Sequence, residues 1–114
     1  MGTTIELTAA DGHKLSAYRA DPPGKPRGAL VVVQEIFGVT DHVKRVADQY
    51  AARGYRAIAP AMFDRIARDL TVPYTDVQRG LDHMRKLVWP DTLADVAAAA
   101  DEIRATGLAA VVGF

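Results

Sequence analysis

Apolar and polar side chains alternate in two short stretches near the start of the chain, at residues 5–8 and 14–19. Alternation with a period of two is typical of half-exposed β-strands. The Asp11-Gly12 pair between the stretches is a turn signal, so this region predicts an antiparallel hairpin. The proline-rich segment 21–26 that follows excludes both a helix and a central strand.

Three later runs are short and mainly apolar, at residues 29–33, 55–59 and 108–112, and the first of them is apolar on both faces. Such runs predict strands that are buried in a parallel sheet. After the first run, Thr40 caps a predicted helix whose apolar positions recur every three or four residues, and Gly54 ends that helix.

The region between the second and third runs is predicted to be irregular over residues 61–74 and then helical. Thr75 opens a capping box at the start of one helix, which Gly80 is expected to weaken. The Trp-Pro pair at 89–90 is expected to break that helix. A further helix, capped at Asp91 or Thr92, is predicted to end at Gly107.

The order of elements is therefore a hairpin, a strand, a helix, a strand, two helices and a strand. Buried strands that alternate with helices predict a parallel sheet with right-handed crossovers. We expect one α/β domain over residues 1–114, with three αβα layers and a mostly parallel sheet that carries the antiparallel hairpin.

Composition removes several functional classes. Fourteen Lys and Arg residues balance fourteen Asp and Glu residues, so no charge excess favours nucleic acid or an anionic membrane. No apolar run reaches the roughly 18 residues that span a bilayer, and the first residues lack a signal-peptide pattern, so we expect a cytoplasmic protein. The absence of cysteine excludes disulfides and thiolate metal ligands within these residues, and we expect neither a metal site nor a cofactor.

Glu35 is the first candidate functional residue. Open α/β sheets bind ligands at the carboxyl ends of their strands, and Glu35 follows the apolar run 29–33 almost directly. A carboxylate in that place is at least partly desolvated, which favours a functional partner. A structural carboxylate that accepts hydrogen bonds from nearby backbone amides remains the alternative.

The end of the last predicted strand is a second informative place. The strand runs into Gly113-Phe114. A strand followed by a small residue, any residue and a nucleophile is how the nucleophile elbow of an α/β-hydrolase begins. We expect the nucleophile to follow Phe114, which makes these residues the N-terminal half of a hydrolase domain.

The segment Q-E-I-F-G at residues 34–38, after a valine-rich strand, resembles the corresponding segment of the dienelactone hydrolase family. Residues 51–65 resemble that family's GY-x-A-x-x-P-x-L-x-x-R stretch, and residues 108–114 resemble the strand that enters its G-[FY]-C-x-G-G elbow. The resemblance covers nearly the whole chain. It implies an α/β-hydrolase fold and a Cys-His-Asp triad that opens lactones or cleaves carboxylic esters.

The resemblance also implies roles for individual residues. Glu35 matches the glutamate that helps to form the thiolate, and the backbone N–H of Ile36 matches one donor of the oxyanion hole. Family members hold the carboxylate of the substrate with arginines, and Arg79 is our preferred candidate for that contact. The other candidates for substrate binding are Tyr74, Arg85 and Trp89. For the arginines the alternative is a solvated helix face, and for Trp89 it is a packing role.

Three explanations fit an elbow that stops at Phe114: a modified cysteine at the next position, a C-terminal half present as a separate segment, or a short protein. The first two leave a hydrolase that acts on a small ester or lactone. The third leaves the 114 residues without a nucleophile, and therefore inactive. In that case the alternative function is a non-catalytic α/β module that binds a ligand or regulates a partner.

Overall fold

The computed structural model describes residues 2–104 and the backbone of residues 109–113, which form five strands and three α-helices. The strands are β1 (Thr3–Thr8), β2 (Lys14–Ala20), β3 (Gly28–Val33), β4 (Tyr55–Pro60) and β5 (Ala109–Gly113). The helices are α1 (Asp41–Ala52), α2 (Val77–Lys86) and α3 (Trp89–Ile103), and a 3₁₀ helix spans Met62–Arg65.

The strands form one mixed sheet in the order β1-β2-β4-β3-β5. β1 and β2 pair as an antiparallel hairpin, and β2 also runs antiparallel to β4. β3 pairs in parallel with β4 on one side and with β5 on the other. The predicted combination of an N-terminal hairpin with parallel strands is confirmed, and the carboxyl ends of β3, β4 and β5 share one edge.

Apolar side chains cover both faces of the sheet and make the three layers. On the α3 face, Val31 and Ile58 pack in one cluster with Leu15 and Ile103. On the α1 face the alternate side chains of β3 and β4 join the buried stripe of α1; these residues are Val32, Val43, Ala47, Ala57 and Ala59. Because successive strand residues point to opposite faces, a continuous apolar run fills both layers at once.

The predicted limits of α1 are confirmed. The hydroxyl of Thr40 accepts a hydrogen bond from the N–H of Val43 at 3.5 Å, as an N-cap does. Asp41 lies in the first turn, where the helix dipole favours negative charge. Gly54 follows the helix with φ +98°, a conformation that glycine adopts without strain.

The predicted start of α2 at Thr75 is wrong by one residue. Asp76 is the N-cap, and its carboxylate accepts a hydrogen bond from the N–H of Arg79 at 3.2 Å. Adjacent Thr and Asp residues are both good caps, so the local pattern does not distinguish them. The apolar side chains along and just after this helix are mostly exposed, namely Val77, Met84 and Val88.

The predicted break between the two helices is confirmed, since α2 ends at Lys86, but the predicted start of the next helix is wrong. Trp89 begins α3 and Pro90 lies in its first turn. Proline is tolerated there because the missing N–H would have no acceptor within the helix. Asp91 and Thr92 therefore lie inside the helix and are not its caps, and Val88 occupies the cap position without a side-chain hydrogen bond.

Residues 61–74 were predicted to be irregular, but they include the 3₁₀ helix Met62–Arg65, whose Phe63 is fully buried. The predicted helix end at Gly107, the strand start at Leu108 and the elbow at Phe114 lie outside the described residues. Within the described residues, each helix is too short or too polar to cross a membrane.

Candidate active site

β3 ends in a tight turn at the carboxyl edge of the sheet. Glu35 and Gly38 form an isolated antiparallel bridge, in which the N–H of Gly38 donates to the carbonyl oxygen of Glu35 at 3.3 Å. Gly38 adopts φ +91°, which a residue with a side chain rarely does. We call this segment the Glu35–Gly38 turn; it lies where open α/β sheets bind ligands.

Two polar groups of this turn have no partner within the described part of the chain. The carboxylate of Glu35 is half-buried and makes no hydrogen bond or ion pair there. The N–H of Ile36 likewise donates to no described acceptor. The structural alternative for Glu35, a carboxylate bound by nearby amides, is therefore not found among the described residues.

Gln34 lies behind the turn and is buried, with 4% of its surface exposed. Its side-chain oxygen accepts a hydrogen bond from the N–H of Met62 at 2.9 Å. Its side-chain nitrogen donates to the carbonyl oxygen of Glu35 at 3.1 Å. One buried amide thus connects the end of β3 to the 3₁₀ helix that follows β4.

The loop before α2 supports the turn from a second side. The N–H of Val72 donates to the carbonyl oxygen of Phe37 at 2.9 Å. The rings of Phe37 and Tyr74 meet edge to face, with centroids 4.7 Å apart. The hydroxyl of Tyr74 is 2.8 Å from that of Thr40, so Tyr74 joins the turn to the start of α1.

Helix α2 approaches the turn closely at Gly80. A Cβ atom at this position would lie 2.5 Å from the carbonyl oxygen of Ile36, well inside contact distance. The glycine that we expected only to weaken the helix is therefore what allows the helix to pack against the turn. A Cβ atom at Gly38 would likewise lie 2.5 Å from the carbonyl oxygen of Leu70.

An open groove of about 770 Å³ lies between the start of α1, the loop before α2 and α2 itself. Three cations line it, Lys44, Arg45 and Arg79, and none of them has an ion-pair partner among the described residues. The ammonium group of Lys44 lies over the ring of Tyr18, 5.7 Å from its centroid. The groove carries one acidic side chain, Asp41, so its charge favours an anionic ligand.

The structure brings two of the four predicted substrate contacts into this groove. Tyr74 and Arg79 both line it. Arg85 instead forms an exposed ion pair with Asp82 at 3.4 Å on α2. Trp89 has 71% of its surface exposed at the start of α3, which contradicts the packing role weighed for it.

On the side of the sheet's carboxyl edge away from the groove, the charged side chains are paired with one another. Arg65 contacts three carboxylates, at 2.8 Å from Asp11, 2.8 Å from Asp95 and 3.7 Å from Asp91. We call these four residues the Arg65 cluster. Hydrogen bonds from the Arg65 guanidinium and from the N–H of His13 lower the pKa of Asp11 to about 2. The hydrogen bonds to Asp11 and Asp95 raise the pKa of Arg65 above its ordinary value.

Asp64 organises the neighbouring backbone. Its buried carboxylate accepts hydrogen bonds from the N–H groups of Ser16 and Asp69, each at 2.7 Å. Asp69 has φ +57°, an uncommon conformation for a residue with a side chain. The guanidinium of Arg68 lies 3.3 Å from Asp64, and this contact raises the pKa of Arg68.

Gln34, Gly80 and Asp64 are the residues of this region to which the sequence analysis gave no role at the site. Gln34 had one available signal, since it is a polar residue directly after an apolar strand. Among the residues that the structure describes, no group of three or more His, Cys, Asp or Glu side chains could hold a metal ion.

A family model described as "Dienelactone hydrolase family" matches residues 15–114. A relative from Methylorubrum extorquens, named "Putative carboxymethylenebutenolidase", is 36% identical over 108 residues, which cover 92% of this chain and 36% of the relative. A relative of the same name from Azospirillum brasilense is 44% identical over 64 residues, 55% of this chain and 28% of the relative.

A solved structure is similar along almost the whole chain. It is described as "Putative Dienelactone Hydrolase from Klebsiella pneumoniae subsp. pneumoniae MGH 78578" and is 28% identical, with a TM-score of 0.74. The match covers 98% of this chain and 50% of that one. The chain thus spans about half of the solved protein and about a third of the curated relatives it matches.

Proposed function

This chain belongs to the dienelactone hydrolase family, and we propose that it forms part of a hydrolase that cleaves carboxylic esters or lactones. The observation that carries the proposal is the pair of free groups at the Glu35–Gly38 turn. A carboxylate and an amide N–H lie on adjacent residues at the carboxyl edge of an α/β-hydrolase sheet, and no described residue binds either.

The chemistry assigned to these groups is acyl transfer through a Cys-His-Asp triad, in which a thiolate forms a bond to the carbonyl carbon of the substrate. Glu35 accepts the proton of the thiol, which makes the sulfur nucleophilic. The N–H of Ile36 donates to the oxygen that becomes negative in the tetrahedral intermediate. The bond between the carbonyl carbon and the alkoxy oxygen then breaks, and the alcohol leaves with a proton from the protonated histidine. Water attacks the thioester and gives a proton back to the histidine, and the thiolate leaves and takes back the proton held by Glu35. The chain has no cysteine, so the nucleophile must come from a segment that these 114 residues do not contain.

The proposed substrate carries a negative charge near its reactive carbonyl group. Arg79 supplies the anion contact from the cationic groove, and Tyr74 supplies an aromatic wall that is fixed against Phe37. Arg85 and Trp89 receive no such support, because one is paired with Asp82 and neither is among the lining residues of this groove.

Glu35→Gln in the complete protein tests the role of the carboxylate. A lost proton acceptor lowers kcat for a p-nitrophenyl ester by about 100-fold, with the thermal midpoint unchanged, because the side chain has no described partner to lose. Glu102→Gln is the matched control, since Glu102 pairs with Arg19 at 3.1 Å on the surface. An unchanged kcat in the Glu35 variant would remove this residue from the mechanism.

A second candidate function is a non-catalytic α/β module that binds a small anion. The unpaired cations of the groove favour it. Calorimetric titration with small carboxylates, run beside the hydrolysis assay and an intact mass of the protein from its source, separates the two. Binding without turnover in a molecule of 12.3 kDa supports the module.

A further inference from the structure

The peptide unit between Glu35 and Ile36 is held from one side only. Its carbonyl oxygen accepts two hydrogen bonds, from the side chain of Gln34 at 3.1 Å and from the N–H of Gly38 at 3.3 Å. Its N–H, which belongs to Ile36, has no described acceptor. One end of this peptide unit is therefore hydrogen-bonded within the protein, whereas the other end has no described partner.

Planarity makes these two ends dependent on each other. In a trans peptide the C=O and N–H bonds lie in one plane and point in opposite directions. Donors that hold the Glu35 carbonyl towards the protein interior must therefore turn the Ile36 N–H the other way. The direction of that N–H is set by the groups that bind the carbonyl.

Gln34 is suited to this task because its side-chain amide has both a donor and an acceptor. The oxygen must face the N–H of Met62 and the nitrogen must face the carbonyl of Glu35, so the orientation of the amide is unambiguous. Because Gln34 is 4% exposed, water does not compete effectively for either bond. Met62 itself begins the 3₁₀ helix, which Asp64 and Arg65 fix to the hairpin and to α3.

We propose that Gln34 is a positioning residue that aims the N–H of Ile36 at the oxyanion of the reaction. The kinetic consequence rests on the proposed function, whereas the structural consequence does not. Gln34 touches neither substrate nor nucleophile in this role; it acts through the peptide plane, on the donor that the transition state uses.

Gln34→Glu in the complete protein is the sharpest variant. It keeps an oxygen for the N–H of Met62 but places a carboxylate oxygen against the Glu35 carbonyl, which removes the donor and repels that end of the peptide. We expect kcat to fall about tenfold, less than for outright loss of an oxyanion donor, and KM to change less than about twofold. Gln34→Met removes both bonds at similar length and serves if the buried carboxylate prevents folding. Gln49→Glu, at an exposed position on α1, is the matched control.

A second measurement needs no activity. The residual dipolar coupling of the Ile36 amide reports the direction of its N–H bond, and it should change in both Gln34 variants but not in Gln49→Glu. A folded variant with unchanged kcat and an unchanged coupling would overturn the proposal while leaving the hydrolase intact. A changed coupling in a protein that hydrolyses no ester would uphold the positioning of Ile36 and remove the proposed function. A changed coupling with an unchanged kcat would overturn the proposal that the positioning by Gln34 matters to the reaction.

Discussion

The Arg65 cluster and the cationic groove lie on opposite sides of the carboxyl edge of the sheet, and they differ in whether their charges are paired. In the Arg65 cluster, one guanidinium contacts three carboxylates, and the side chain of Asp95 is only 1% exposed. In the groove, Lys44, Arg45 and Arg79 have no described ion-pair partner. Buried and paired charges fix elements to one another, whereas unpaired charges around an open groove are available to a ligand. The contrast distinguishes a structural ion-pair cluster from a candidate binding surface.

The largest effect is expected from breaking the paired side, with Arg65→Met in the complete protein. It leaves Asp95 buried without its guanidinium, which costs about 3–5 kcal/mol in the free energy of unfolding. Urea denaturation measures this loss. Arg45→Met, from the unpaired side, is the control and should change stability by less than about 0.5 kcal/mol. Equal changes in the free energy of unfolding would show that the paired and the unpaired charges do not differ in their contribution to stability.

Gly80→Ala tests whether the steric contact of α2 with Ile36 or the helix propensity of alanine has the larger effect on stability. Alanine would favour the helix by about 1 kcal/mol, but its Cβ would lie 2.5 Å from the carbonyl oxygen of Ile36. We expect overpacking to win, with a net loss of about 1–2 kcal/mol and a lower kcat, because the turn must shift. Gly24→Ala, where no atom lies within 4 Å of the added Cβ, is the matched control. A more stable variant with normal kcat would show that α2 can move away from the Glu35–Gly38 turn without loss of stability or activity.

Arg79→Ala tests whether the unpaired cations of the groove bind the substrate. Loss of the anion contact should raise KM for a negatively charged ester on the order of fivefold, and leave KM for a neutral ester unchanged. Arg85→Ala provides the comparison, since Arg85 is already paired with Asp82 and exposed. Equal changes in KM for the two variants, or for the two esters, would remove Arg79 from substrate binding.

The smallest effect is a dependence of stability on pH at Asp11. Its pKa is about 2 in the folded protein and 3.8 in the absence of the fold, so the unfolded state takes up the proton first. The stabilisation is present above about pH 4 and is lost as the pH falls towards 2. Urea unfolding of wild type and Asp11→Asn at several pH values should show a gap at pH 7 that closes in this window. A gap that is constant with pH would assign the effect to something other than titration.

Local sequence signals predicted the strands and α1 well, because each depends on near neighbours. The apolar run 29–33 became β3 (Gly28–Val33), and Thr40 caps α1 as its position indicated. The same local signals failed where two of them compete. Thr75 and Asp76 are adjacent caps, and the proline at position 90 can end one helix or begin the next.

The candidate site was predictable only in part. Glu35 was predicted because a strand end and a family resemblance both point to it, whereas Ile36 was predicted from the resemblance alone. Gln34 contacts Met62 across 28 positions, and Arg65 reaches Asp11 across 54, so no local pattern carries those pairs. Gly80 illustrates the same limit: its helix propensity is a property of the residue, whereas its contact with Ile36 is a property of the fold.

The 3₁₀ helix Met62–Arg65 has a consequence for how this protein can change in evolution. A helix of three residues per turn directs successive side chains about 120° apart. Consecutive residues therefore point to different neighbours: Phe63 fills the core, Asp64 binds β2, and Arg65 binds both α3 and the turn of the hairpin. Insertion or deletion of one residue would turn all of these side chains away from their neighbours at once. We therefore expect evolution to keep the length of this segment more strictly than the identity of any residue in it.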